Sequence, residues 1–124
     1  NICIFNTRTL GYVNAPAIMQ KVIQHAYDAK VDIDDYRERR DILYNHMVKC
    51  GFSVKKPQGA FYLFVKSPVE DEMEFVKKAK EYNILVVPGR GFGMKGYVRM
   101  CFCISKKTIQ ASLPKITALA REYF

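Results

Sequence analysis

The sequence lacks any apolar run of the ~18 to 20 residues that a membrane-spanning helix needs. Its first eight residues have neither the basic start nor the long apolar stretch of a secretory signal peptide, and no linker or internal repeat interrupts the 124 residues. Low-complexity composition is also absent, since 49% of the residues are apolar and 26% are charged. These absences predict a soluble, cytoplasmic product with no membrane partner, folded as a single domain over residues 1–124.

Metal-ligand spacing is missing as well, because no two of the four cysteines form a Cys-x-x-Cys pair. A site built on Cys101 and Cys103 would also need His25 or His46, which lie far away in sequence. We therefore expect no metal site. Cys101 and Cys103 are interpreted as small buried residues on one face of a strand.

Acidic residues are outnumbered, with 12 Asp and Glu against 20 Lys and Arg and a formal charge of +8. Such an excess suits phosphate binding, and residues 95–102 (KGYVRMCF) partly match an RNA-recognition signature. The match lacks the central stacking aromatic, because Arg99 stands in its place. Since the basic residues are spread along the chain, we interpret the charge as a solvated face or an interdomain surface and expect no nucleic-acid partner. A basic RNA-binding module is the alternative from a different functional class.

Apolar spacing and capping residues predict four helices and four strands. The helices are expected over residues 16–30, 34–50, 71–83 and 105–123, and Pro114 either kinks the last helix or starts a new one. The strands are expected shortly after residue 52 and over residues 60–65, 84–87 and 97–104. This order predicts an α/β fold of the two-layer α+β kind: a small mixed or antiparallel sheet of about four strands, with helices packed on one side.

Two features near the last strand concern binding. Gly91 to Gly96 spells G-x-G-x-x-G, but a dinucleotide site requires a helix after the glycines, and a strand is predicted there. Arg99 lies in an otherwise apolar strand, so its guanidinium must reach a polar face or meet a carboxylate. Both a structural ion pair and recognition of a substrate α-carboxylate by the planar fork are compatible with this position.

Five short segments add a family signal. They are LGY at 10–12, YRERRD at 36–41, PQGAFYLF at 57–64, PGRGFG at 88–93 and GYVRM at 96–100. In this order, across nearly the whole chain, they resemble the C-terminal part of class I/II aminotransferases, which depend on pyridoxal 5'-phosphate (PLP), and the aspartate aminotransferase-like branch in particular. The resemblance implies the small domain of a homodimeric enzyme that transfers an amino group from an amino acid to a 2-oxo acid.

The resemblance also implies roles for three residues. Arg99 matches the arginine that binds the substrate α-carboxylate, and Phe61 lies where the family often approaches the substrate side chain. In the family, an arginine two residues before the Gly-Tyr pair commonly reaches the cofactor phosphate. This chain has Thr9 at that position and Arg8 one residue earlier, so Arg8 is the candidate for the phosphate contact.

The remaining catalytic groups are expected outside this stretch. The Schiff-base lysine and the PLP-binding domain of the family lie upstream, so no catalytic residue is assigned in this chain. The 124 residues alone are expected to hold no cofactor and to be inactive. PLP-dependent C–S lyases and other elimination enzymes share the scaffold and stay open as alternatives to transamination.

Overall fold

The structure, a computed structural model, describes residues 1–12 and 14–124. These residues form two compact units, Asn1–Val31 and Asp32–Phe124. Within the described ranges, no helix is both long enough and apolar enough to cross a membrane.

The first unit contains two helices, α1 over Ile2–Thr9 and α2 over Ala17–Ala26. The sequence predicted α2, with wider bounds, but not α1. After α1, Gly11 adopts a φ of +87°, a conformation that glycine reaches at little cost. Neither helix buries any of its described residues.

Each of the three helices of the second unit begins at a side chain that caps it. α3 spans Ile33–Lys49, α4 spans Glu72–Glu81 and α5 spans Lys106–Ala120. The caps Asp32, Asp71 and Ser105 each accept a hydrogen bond from a backbone N–H of the first turn. Such a bond satisfies a donor that the helix itself leaves without a partner, and it explains why the three starts were predicted closely.

The ends of these helices differ. Gly51, after α3, has a φ of +92°, and Asn83, after α4, has a φ of +56°. Asparagine is one of the few side-chain-bearing residues that adopt this region readily. α5 instead continues through Pro114, at the cost of one backbone hydrogen bond. The alternative in which Pro114 starts a new helix is therefore wrong.

Three strands form one antiparallel sheet in the order β1-β3-β2. β1 spans Tyr62–Lys66, β2 spans Val87–Pro88 and β3 spans Tyr97–Cys101. In the register of the sheet, Phe64 of β1 and Val87 of β2 both lie opposite Arg99 of β3. β3 is therefore held on both edges.

Alternate residues of β1 and β3 face the core. Leu63, Val65 and Val98 are fully buried and Met100 nearly so, because successive side chains of a strand point to opposite faces. They share one cluster with side chains of the three helices, among them Leu43, Met47, Phe75, Val76, Ala79, Ile109, Ile116 and Leu119. The predicted α+β class, with an antiparallel sheet packed on helices, is confirmed.

The sheet has three strands rather than about four. Val54, in the first predicted strand, makes a single bridge to Val65. Of the strand predicted over 84–87, only Val87 pairs with β3, because the backbone N–H of Ile84 still bonds to the last turn of α4. β3 ends at Cys101, before the predicted end at residue 104.

Truncation of Leu63 tests the placement of β1. Leu63→Ala is expected to lower the free energy of unfolding by roughly 2 to 5 kcal/mol, because the side chain is fully buried and its loss leaves a cavity. Leu85→Ala removes the same atoms from a residue that is 81% exposed and should change stability by less than about 0.5 kcal/mol. Urea unfolding followed by circular dichroism measures both. Similar losses in the two variants would contradict the burial of β1.

Candidate functional site

Arg99 lies in the middle of the central strand, on the face of the sheet away from the core. Its neighbours Val98 and Met100 are 0% and 9% exposed, so the pleat directs Arg99 to the other face. Phe64 and Val87 lie beside it on the two neighbouring strands. The backbone of Arg99 is thus held on both sides, while its side chain stays partly exposed.

The guanidinium of Arg99 contacts two aromatic rings. Its central carbon lies 4.2 Å from the centroid of the Tyr62 ring and 3.8 Å from the centroid of the Phe92 ring. The electron-rich face of an aromatic ring attracts a cation. An arginine stacked on rings keeps its in-plane N–H groups available as donors. The two rings therefore order the side chain and leave it able to donate hydrogen bonds.

Four of the other five arginines of the second unit are paired with carboxylates, and the fifth is the exposed Arg121. The pairs are Arg37 with Asp34, Arg39 with Asp35, Arg40 with Asp41, and Arg90 with Asp71 and Glu72. Among residues 1–12 and 14–124, no carboxylate lies within ion-pair distance of Arg99. The described structure thus contains no structural ion pair at Arg99, and the position suits an external anion.

Phe61 lies just before β1 and next to Tyr62, one of the two rings that contact Arg99. Its ring centroid is 4.5 Å from that of Tyr62, and its side chain is 40% exposed. Ala60, before it, has a φ of +57°, which is uncommon for a residue with a side chain. The carbonyl oxygen of Phe61 accepts a hydrogen bond from the N–H of Phe102 at 3.0 Å. The structure thus brings Phe61 and Arg99 together through Tyr62.

Arg8 belongs to the first unit and lies in the last turn of α1. The residue is exposed, and its carbonyl oxygen accepts a hydrogen bond from the N–H of Gly11 at 3.0 Å. A cation in the last turn of a helix interacts favourably with the helix dipole, which gives Arg8 a local role without any ligand. Its role toward a phosphate stays a prediction.

The loop of residues 89–96 leads into β3 and carries Phe92. It begins with a short 3-10 helix, Gly89–Phe92. A Cβ on Gly89 would lie 2.3 Å from the carbonyl oxygen of Met94, so the close approach of the backbone requires glycine there. β3 begins at Tyr97, directly after the G-x-G-x-x-G pattern, so the helix of a dinucleotide site does not follow it.

The carboxylate of Glu72, at the start of α4, contacts this loop and is fully buried. Its Oε1 accepts a hydrogen bond from Nε of Arg90 at 2.7 Å, and its Oε2 accepts one from the backbone N–H of Gly96 at 3.1 Å. The hydrogen bond from Arg90 is the largest cause that lowers the pKa of Glu72 to about 2, and it outweighs burial, which raises the pKa. Glu72 is therefore ionised inside the fold.

Sequence reasoning missed four residues of this region: Tyr62, Glu72, Arg90 and Phe92. Glu72 carried a signal, because its helical spacing places it on the same face of α4 as Phe75, Val76 and Ala79, which are buried. Tyr62 lies two residues before Phe64 and therefore on the same face of β1, the face that Arg99 shares because Phe64 lies opposite it. No local pattern indicates that Phe92 reaches Arg99, because the conformation of the loop sets that distance.

The sulfur atoms of Cys101 and Cys103 lie 3.1 Å apart, but the two residues are not buried as predicted. Cys101 is half-buried because it lies on the same face of β3 as Arg99, away from the core, and Cys103 is exposed beyond the end of β3. In the part of the chain that the structure describes, no three or more His, Cys, Asp or Glu side chains are grouped so that they could hold a metal ion.

Residues 4–116 match the family model for class I and II aminotransferases. A probable N-acetyl-LL-diaminopimelate aminotransferase from Bacillus subtilis is 29% identical over 117 residues, which cover 90% of this chain and 30% of the relative. A probable aspartate aminotransferase from Methanocaldococcus jannaschii is 38% identical over 84 residues, 65% of this chain and 22% of the relative. The crystal structure of an aminotransferase from Eubacterium rectale has a TM-score of 0.86 and 41% identity, and the match covers 94% of this chain and 29% of the other. The chain thus spans less than a third of the length of each of these relatives.

The ion pair of Glu72 predicts a loss of stability in acid. Because folding lowers the pKa of Glu72 from 4.5 to about 2, the ionised form stabilises the fold above pH 4.5, and this contribution disappears as the pH falls through about 2. Urea midpoints of the wild type should fall over this window.

The variant Glu72→Gln isolates this effect from the other carboxylates that titrate at the same pH. It should be less stable than the wild type at pH 7, and the difference should shrink toward pH 2 because neither protein then carries the charge. A difference that stays constant from pH 7 to pH 2 would contradict the ion pair.

Proposed function

The chain belongs to the class I and II aminotransferases, and we propose that it is the C-terminal domain of an enzyme that transfers an amino group from an amino acid to a 2-oxo acid. Relatives named as aminotransferases and the similar crystal structure support this reaction. Because the chain spans 22% to 30% of those relatives, the activity is assigned to a longer enzyme. Residues 1–124 form one domain of it, beside an upstream domain that binds the cofactor.

One observation carries the assignment of the substrate site. Arg99 contacts two rings and has no carboxylate partner among the described residues 1–12 and 14–124. A planar guanidinium can donate two parallel hydrogen bonds to a carboxylate. Amino acids and 2-oxo acids both carry a carboxylate next to the reacting carbon, so Arg99 can bind either substrate in one orientation. Fixing that orientation lowers the entropic part of the barrier.

Phe61 is assigned to the substrate side chain. Its ring is partly exposed and packs on Tyr62, which contacts Arg99. An aromatic ring beside the carboxylate site offers apolar surface to the carbon chain of an amino acid and excludes water from that side. Arg99 therefore anchors the substrate, and Phe61 borders the space next to the anchor.

The family implies PLP, which when bound supplies an electron sink for the bond that is cleaved at the substrate Cα. Arg8 fits the phosphate of this cofactor, because it is an exposed cation and no carboxylate pairs with it among residues 1–12 and 14–31. We assign Arg8 to that phosphate. The lysine that links to the cofactor is assigned to the upstream domain. Arg99 and Phe61 act on the substrate.

The assembly and location of the enzyme follow the family resemblance. We propose a cytoplasmic homodimer with its active sites at the dimer interface. Light scattering on the full-length enzyme tests the dimer, and a monomeric mass at micromolar concentration would contradict it.

A product assay on the full-length enzyme tests the reaction. Aspartate and 2-oxoglutarate are the first pair to assay, because several relatives are named aspartate aminotransferases. Transamination produces a new amino acid and a new 2-oxo acid without ammonia. Release of ammonia from a cysteine-type substrate, which unlike aspartate carries a sulfur leaving group on Cβ, without dependence on a 2-oxo acid would overturn the proposal in favour of elimination, the reaction of the C–S lyases.

Removal of the guanidinium tests Arg99. In the full-length enzyme, Arg99→Ala is expected to weaken binding of the transition state by roughly 2 to 5 kcal/mol, the loss of one partner of a hydrogen-bonded charge pair. This corresponds to a fall in kcat/KM of about 30-fold to a few thousandfold. Arg99→Lys keeps the charge but loses the planar fork, so its kcat/KM should lie between the values of the wild type and of Arg99→Ala.

The matched control is Arg37→Ala, which removes an exposed arginine whose partner is Asp34 in the same helix. Its kcat/KM should stay at the wild-type value. Equal values of kcat/KM for the wild type and Arg99→Ala would dismiss the role of Arg99 as the carboxylate site.

Reductive trapping tests whether the 124 residues hold the cofactor by themselves. The chain is expected to form no specific covalent link with PLP, because the linking lysine is assigned to the upstream domain. Incubation with PLP and borohydride, followed by mass spectrometry, measures the link, and the full-length enzyme is the positive control. A stoichiometric adduct on one lysine of residues 1–124 would contradict the assignment.

A further inference from the structure

We propose that Glu72 is a positioning residue for Arg99: its buried carboxylate holds both ends of the loop from which Phe92 contacts the guanidinium. This inference rests on the proposed function, because it treats Arg99 as the group that binds the substrate carboxylate. Glu72 itself contacts Arg90 and Gly96, so it acts on the site through the loop.

Glu72 anchors the loop at two points. Arg90 lies at the start of the loop and Gly96 at its end, and each bonds to a different oxygen of Glu72, at 2.7 Å and 3.1 Å. Arg90 also donates a hydrogen bond from Nη2 to Oδ1 of Asp71 at 2.5 Å. Asp71 caps α4 and Glu72 is its first residue, so the start of a packed helix fixes both ends of the loop.

Between its two anchors, the loop is compact. The N–H of Met94 donates to the carbonyl oxygen of Gly89 at 3.0 Å, and the N–H of Gly93 donates to that of Arg90 at 3.2 Å. The close approach of Gly89 to Met94 leaves no space for a side chain. A loop bonded across itself in this way keeps its shape, so its anchors determine where it lies.

From this loop, Phe92 contacts Arg99. The Phe92 ring lies 3.8 Å from the guanidinium carbon and packs edge-on against Phe64 with a centroid distance of 6.3 Å. Phe92 is 46% exposed, so burial alone holds it weakly. The position of its ring therefore depends on the anchored loop, and the orientation of the guanidinium depends in part on the ring.

A buried carboxylate is suited to this task because its bonds have direction. Removing a charge from water is costly even when the charge is paired, and an apolar side chain of similar size would fill the space without that cost. An apolar side chain would, however, bond neither to Nε of Arg90 nor to the N–H of Gly96. Compared with such an apolar side chain, the charged pair therefore contributes the geometry of the loop rather than additional stability.

The position of Phe92 over Arg99 can be read by NMR in the chain itself. A proton over the face of an aromatic ring is shifted upfield, so the Nε–H proton of Arg99 reports whether the rings are in place. The signal is assigned from its absence in Arg99→Lys, and Phe92→Leu gives its position without the second ring. We expect Glu72→Gln to move the signal toward the Phe92→Leu position.

Glu74→Gln is the matched control, because Glu74 lies in the same first turn of α4 and is exposed. It should leave the Arg99 signal unchanged. Arg90→Lys is the second variant in case Glu72→Gln does not fold: it keeps the charge but loses the fork that reaches both Asp71 and Glu72, and it should also move the signal. Folded Glu72→Gln or Arg90→Lys protein with the Arg99 proton at its wild-type position would overturn the inference.

Kinetics of the full-length enzyme supply the second readout. Glu72→Gln is expected to raise KM for the amino acid roughly ten- to a hundredfold, as for a misplaced binding group, with a smaller change in kcat. Wild-type KM in folded Glu72→Gln enzyme, beside a raised KM in Arg99→Ala, would overturn the positioning role. If Arg99→Ala also leaves KM unchanged, the proposed carboxylate site itself is wrong, whereas the NMR signal still reports on positioning by Glu72 independently.

Discussion

The pairing of β3 with a strand on each edge determines both the core and the candidate site. Because β1 and β2 bond to its two sides, β3 cannot turn about its axis. The two-residue period of the strand then sends Val98 and Met100 into the core and Arg99 to the opposite face. A shift of one residue would bury the guanidinium and expose two apolar side chains, so the burial of the core selects the direction of Arg99.

Two arginines near each other in sequence have different tasks because their neighbours differ. Arg90 bonds to the carboxylates of Asp71 and Glu72 through Nε and Nη2, so its charge is paired within the fold. Arg99 meets the rings of Tyr62 and Phe92, which attract the cation but accept few of its hydrogen bonds. The first arginine fixes a loop, and the second keeps its donors for an anion.

The helix starts of the second unit were predictable because each depends on residues within one turn. Asp32, Asp71 and Ser105 satisfy free N–H groups close by in sequence, so the signal is local. The strands were less predictable, because a strand exists only where a partner pairs with it. Ile84 has the apolar character of a strand residue, yet its N–H bonds to the helix before it.

The residues of the site also divide into those that nearby sequence indicates and those that depend on distant contacts. Arg99 and Phe61 were named from short segments that resemble a family, and that family is confirmed. Tyr62 and Phe92 were not assigned, because their contact with Arg99 depends on the register of β1 and on the shape of a loop. The apolar face of α4 carried a signal for Glu72 that the sequence analysis missed, and no local pattern shows which groups meet its two oxygens.

The sequence by itself determined the family, the order of most elements and the alternation that separates Arg99 from its core-facing neighbours. Periodicity, capping and short motifs are local properties of the chain and need no knowledge of distant contacts. Only the tertiary structure decided that Arg99 meets rings instead of a carboxylate, and that one carboxylate holds both ends of the loop beside it. Those contacts join residues far apart in sequence, and the packing of the sheet against its helices sets the distances between them.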